Sequence, residues 1–173
     1  VHLVTSSPSP GLARFNAAGG PEAIALLHEV CASRSWGAAV TAARPYDTLD
    51  ALLAASDAAT AGLTPDDLAE AMAGHPPIGR PRPGDPVSAR EQGGVRDFQR
   101  EELLALNLAY QERHGHVFLI CATGRTGDQM LAALKERIGN DPGTERETVR
   151  TELGRINRVR LTRLVEAAKE DPA

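Results

Sequence analysis

Apolar residues recur at helical spacing along most of this chain, and the runs between them are closed by glycine and proline. After Pro21, which suits a first helical turn, Ile24, Leu27, Val30 and Cys31 trace one helix face. A short helix around Trp36 to Ala43 must stop before Pro45, which lacks a backbone donor and disfavours a helical Arg44. Asp47 or Thr48 can cap the next helix, which carries Leu49, Leu52 and Leu53 and ends near Gly62. Thr64-Pro65-Asp66-Asp67 is a strong start: a cap, a proline at the first position and two acids that complement the helix dipole. That helix closes at Gly74.

The stretch from Gly74 to Pro86 holds too many Pro and Gly residues for helix or central strand and reads as a loop. Ser88 begins a new helix that breaks or bends at Gly93-Gly94. It resumes from Val95 to His114 with Phe98, Leu103, Leu106 and Tyr110 turned inward, and Gly115 can close it in the left-handed conformation. His116 to Cys121 is an apolar, partly β-branched run that reads as a buried extended segment. Thr126 caps a helix bearing Met130, Leu131, Leu134 and Ile138, and Asn140 to Gly143 forms a turn. Thr144-x-x-Glu147 then fits a capping box for a last helix carrying Val149, Leu153, Ile156, Leu161 and Leu164. With one strand-like segment and no internal repeat, the expected fold is all-α, a compact helical bundle of about seven to nine helices with a short extended segment near 116–121.

Composition narrows the function classes. The 173 residues are 42% apolar and 24% charged, which suits one soluble globular domain over 12–170 behind a Ser/Pro-rich disordered tail at 1–11. A net charge of −4 lacks the basic excess of a nucleic-acid binder, and no apolar run is long enough for a membrane span. Two distant cysteines, Cys31 and Cys121, suit buried free thiols in a reducing cytosol.

Three places where helices stop hold the polar groups that could do chemistry. His75-Pro76-Pro77-Ile78-Gly79 presents an imidazole from a stiff turn just past a helix C-terminus, whose negative end favours protonation. Ser88-Ala89-Arg90-Glu91-Gln92 places a hydroxyl, a carboxylate and an amide within one helical turn, although Ser-x-x-Glu is also the pattern of a helix cap. Phe118 to Arg125 runs from an extended segment to a helix start, where backbone amides and the Arg125 fork can meet a carboxylate. Cys121 and Arg125 are too close in sequence for the loop of a cysteine phosphatase. His114, His116, His75 and Glu91 are conceivable metal ligands, but no recognised ligand spacing joins them.

These three segments, in this order and with these separations, resemble the 2-oxo-4-hydroxy-4-carboxy-5-ureidoimidazoline (OHCU) decarboxylase family. The likeness runs from Phe15-Asn16 through Arg44-Pro45 and the Asn107-x-x-Tyr110 helix to Leu164. It implies an all-helical fold, often a homodimer, without metal or organic cofactor, that converts OHCU to (S)-allantoin and carbon dioxide in urate and purine catabolism. By motif, His75 is the implied acid/base and Glu91 its carboxylate partner; Pro76, Ser88, Gln92, Phe118, Ile120 and Arg125 line the substrate, Phe118 and Ile120 partly through backbone groups. Thr126 stands where members often have Ser, Gly93 where Ala is usual, and Ser33 to Trp36 varies a Ser-rich segment; none touches the acid/base pair. The C-terminus is not a peroxisomal address, so a cytoplasmic protein is expected. Two rival readings remain: a non-catalytic helical interaction module, in which Ser88 to Gln92 is only a cap, and a small-acid hydrolase using the same His/Glu pair.

Overall fold

Side-chain caps set where most of the described helices begin. The computed structural model describes residues 7–78 and 97–167, with the backbone alone at 97, 98 and 167. Eight α-helices and no strand occur among the described residues: α1 (Pro10–Ala17), α2 (Gly20–Val30), α3 (Arg34–Ala42), α4 (Leu49–Ala61), α5 (Pro65–Ala73), α6 (Asp97–His114), α7 (Gly127–Arg137) and α8 (Pro142–Ala167). The all-α expectation holds, and residues 117–122 form neither helix nor strand.

Thr48 caps α4 by accepting from the Ala51 amide, and Thr126 and Gln129 form a reciprocal box at α7. At α5 the reciprocal partner of Thr64 is Asp67, whose carboxylate accepts from the Thr64 amide while the Thr64 hydroxyl accepts from that of Asp67. Gly115 closes α6 with φ of 77°, the left-handed region a glycine tolerates.

Three sequence expectations change. Helix α1 starts at Pro10, inside the segment read as tail, because Ser9 accepts from the Leu12 amide and Pro10 opens the first turn. Helix α8 starts at Pro142, with Asp141 rather than Thr144 as its cap: the Asp141 carboxylate takes both the amide and the hydroxyl of Thr144. Glu147 instead pairs with Arg150. Ile24 is 49% exposed, because α2 buries Ala23, Leu27 and Val30 and so turns its neighbouring row outward.

The chain divides into two units, Val1–Asp67 with Asn157–Ala173, and Leu68–Ile156. In the first, α3 packs on α2 and α4 around buried Leu27, Trp36, Val40 and Leu52. Arg44 donates to the carbonyls of Phe15 and Ala18, both at 2.8 Å, and its guanidinium lies over the Phe15 ring. Asn16 closes a reciprocal pair with the Tyr46 backbone, so 15–18 and 44–46 are locked together. Late in α8, Arg158 pairs with Asp57 and Arg160 donates to the Val30 carbonyl.

The second unit has a core of Ile78, Leu103, Tyr110, Phe118, Ile120, Ala122, Met130, Leu131 and Leu134, with α6 packed on α7. Gly127, at the start of α7, is the tight point of that packing. A Cβ there would lie 1.9 Å from Gln99 Oε1, and Gln99 is itself buried and donates to Asp128. Gly127→Ala is therefore expected to cost about 1–3 kcal/mol, read as a lower urea midpoint. An unchanged midpoint would mean that Gln99 moves aside freely.

Candidate functional site

The histidine turn is built by the end of α5. Gly74 and His75 donate to the carbonyls of Ala71 and Met72, tightening the last turn, and Pro76 and Pro77 then remove two backbone donors in a row. His75 ends 8% exposed, with Pro76 also buried. Ile78 enters the core cluster beside Phe118 and Ile120, which anchors the end of the turn. Asn107, on α6, donates from Nδ2 to the carbonyls of Ile78 (3.3 Å) and Leu103 (2.8 Å). One side chain thus ties the turn to α6.

The segment from Phe118 to Arg125 is held from both sides. The Phe118 ring meets Tyr110 edge-on at 5.3 Å, and the Arg137 guanidinium lies 4.4 Å from its centroid. Arg137 also donates to the Leu119 carbonyl at 2.7 Å and pairs with Glu145. Glu145 Oε1 accepts from Arg137 and from the Tyr110 hydroxyl, and Oε2 accepts from Asn140. Two residues further on, the Cys121 amide donates to Glu152 Oε2 and Arg125 Nη2 donates to Glu152 Oε1, both at 3.0 Å. Cys121 and Cys31 are both buried, as their apolar surroundings in the sequence suggested.

Burial pushes the Tyr110 hydroxyl far above the usual tyrosine range, and the adjacent Glu145 carboxylate adds to the shift. At Glu145 burial acts upward, but hydrogen bonds from Arg137, Tyr110 and Asn140 outweigh it, and its carboxyl lies below the ordinary value of 4.5. A folded-state pKa below the unfolded one gives stability that is present above the unfolded value and lost as pH falls through the folded value. Urea stability should therefore hold from neutral pH to the ordinary glutamate range and then decline. Glu145→Gln should flatten part of that decline; an identical acid limb in both proteins would remove Glu145 from the account.

Pro76, Phe118 and Ile120 are buried, and Arg125 is half-buried with its side chain 29% exposed. Glu91, Ser88 and Gln92 lie outside the described residues. Sequence reading missed Arg137 and Glu152, the charged side chains that grip the 118–125 segment, and Glu145, which holds Arg137. Their signal was present: Arg137 follows Met130 and Leu134 along one helix stripe, and Glu145 and Glu152 alternate with Val149 and Ile156 along another. A charge on an apolar stripe marks a buried partner rather than a solvated face. An open groove of about 710 Å³ runs along α8, lined by Gly143, Thr144, Glu147, Thr151, Glu152 and Arg155 among others. None of the residues singled out for chemistry lines it. No group of three His, Cys, Asp or Glu side chains suited to a metal occurs among the described residues.

Fold and site together define a protein that is all-helical among its described residues, with a buried histidine in a proline-locked turn and an extended segment clamped by Arg137 and Glu152. The OHCU decarboxylase family profile matches residues 16–162, and the chain belongs to that family. It is 29% identical to the uric acid degradation bifunctional protein TTL of Arabidopsis thaliana, over 78% of this chain and 44% of that protein. It is 38% identical to a 2-oxo-4-hydroxy-4-carboxy-5-ureidoimidazoline decarboxylase of Amia calva over 61 residues, 35% of each chain. The matches thus span less than half the length of these two curated relatives. The fold resembles a crystal structure of OHCU decarboxylase in the presence of (S)-allantoin, with a TM-score of 0.71 and 27% identity over 80% of this chain and 96% of that one.

Proposed function

We propose that this chain decarboxylates OHCU to (S)-allantoin and carbon dioxide in urate breakdown, without a cofactor, using His75 as acid/base partnered by Glu91. Membership of the family supports the reaction. The observation that carries the assignment to residues is the burial of His75 in a stiff turn whose next apolar residue, Ile78, packs in one cluster with Phe118 and Ile120. We extend the reading to a cytoplasmic homodimer.

Cleavage of the ring-carbon–carboxylate bond releases carbon dioxide and leaves its electron pair on the ring carbon. That charge spreads into the ring and ureido system as an enolate-like intermediate, which a proton then quenches. Preorganised donors that meet the spreading charge lower the barrier by binding the intermediate better than the acid. Gln92, Ser88 and the backbone from Phe118 to Ile120 serve as those donors. His75, polarised by Glu91, exchanges a proton with the C4 hydroxyl or the nascent carbanion, and delivery to one face sets the product's handedness.

Arg125 holds the substrate carboxylate. Arg125→Ala should raise KM about tenfold, the order expected when one charge-assisted hydrogen bond is lost. A KM equal to wild type would take Arg125 out of the binding set. The reaction itself is tested by generating OHCU in situ from urate and following circular dichroism. The enzyme should accelerate the rise of one allantoin enantiomer, whereas decay at the spontaneous rate to racemate would refute the assignment.

A further inference from the structure

We propose that Glu152 is a positioning residue that presets Arg125 and the Phe118–Cys121 backbone against each other; what Arg125 then binds rests on the function proposed above. One buried carboxylate spans two pieces of the site. Its Oε2 accepts from the Cys121 amide and its Oε1 from Arg125 Nη2, each at 3.0 Å, and Glu152 is only 5% exposed. Arg155, with its side chain 55% exposed, donates to the same Oε1 at 3.0 Å and braces the carboxylate from the solvent side.

Among the described residues Arg125 is paired through Nη2 alone. An arginine carries five N–H donors in a planar fork, so the grip at Nη2 fixes the plane while Nε and Nη1 keep their donors for a ligand oxygen. The other end of Glu152 fixes the main chain two residues after Leu119, whose carbonyl is already held by Arg137. Arg137 and Glu152 thus hold this backbone at two points, and Glu152 joins it to the guanidinium. Holding a charged group in its working geometry before the ligand arrives removes an ordering cost from binding.

The carboxylate is chemically required. It offers acceptors at both ends, and both ends face donors. A glutamine has the same shape but only one acceptor oxygen, so its amide must turn an N–H toward either Cys121 or the guanidiniums. The test compares wild type, Glu152→Gln, Arg125→Ala and the double variant by the kinetics of one-handed allantoin formation. The order of the Arg125 Nε–Hε group in the ligand-free protein is read by NMR alongside.

Glu152→Gln should raise KM about tenfold with kcat changed less than about threefold, loosen the Arg125 signal, and add nothing to KM once Arg125 is alanine. A purely structural Glu152 would lower the folded fraction, leave KM unchanged, and leave Arg125 as ordered as in wild type; that result overturns the proposal. So does a double variant whose KM increase is the product of the two single ones. If Glu152→Gln does not fold, Glu152→Asp carries the same readouts, with raised KM at kept kcat expected and unchanged KM contradicting. If wild type makes no one-handed allantoin, the reaction assignment fails, and the NMR signal still decides whether Glu152 holds Arg125.

Discussion

His75→Asn is expected to lower turnover of OHCU by ~10²–10⁴, the range associated with loss of a positioned acid/base group. Asparagine keeps a polar, hydrogen-bonding side chain at a position where His75 is 8% exposed, but it cannot carry a proton to or from carbon near neutral pH. The turn should survive the change. Its shape comes from the tight end of α5, from Pro76 and Pro77, and from the Asn107 bond to Ile78, none of which uses the imidazole. Glu91→Gln should give a loss of similar size, because in the proposed mechanism it removes the charge that polarises His75. The measurement is steady-state kinetics beside a urea melt of each variant. A rate near wild type in both folded variants would dismiss the acid/base pair, and a rate loss matched by loss of fold would make His75 a packing residue.

The largest effect on stability should come from Glu145→Ala, about 3–5 kcal/mol by urea denaturation. The pair it breaks is buried on both sides: the side chains of Arg137 and Glu145 are 7% and 1% exposed. Removing the carboxylate strands a guanidinium in the core and strips the Tyr110 hydroxyl and Asn140 of their acceptor. Arg137 would keep its bond to the Leu119 carbonyl, so the damage should spread into the segment that carries Phe118 and Ile120. The pair Arg137→Met with Glu145→Leu should cost clearly less than the two single changes summed, because no charge is then left unpaired. A loss below about 1 kcal/mol for Glu145→Ala would mean that water reaches the pair.

Local chemistry was legible in the sequence wherever it acts within a few residues. Thr48, Thr126 and Gly115 announced helix ends because caps and left-handed closures are short-range devices. Asp141 was overlooked because the Thr144-x-x-Glu147 pattern competes with it, and only the hydrogen bonds decide between two caps three residues apart. The inward face of α2 was misjudged by one residue, since Ala23 and Ile24 both fit a helical stripe and the surrounding packing chooses between them. For the site, the His75 turn and the Phe118–Arg125 segment stood out through proline and apolar composition. The residues that hold the second of them, Arg137 and Glu152, act across 18 to 31 positions of sequence, a range at which spacing alone says nothing.

A crystal structure of this protein with (S)-allantoin bound asks most directly whether the chain breaks share one cavity. The account predicts ureide atoms within hydrogen-bonding distance of the His75 imidazole and the backbone between Phe118 and Ile120, with Arg125 still gripped by Glu152. Allantoin lying instead in the groove along α8, with His75 facing only protein, would contradict it.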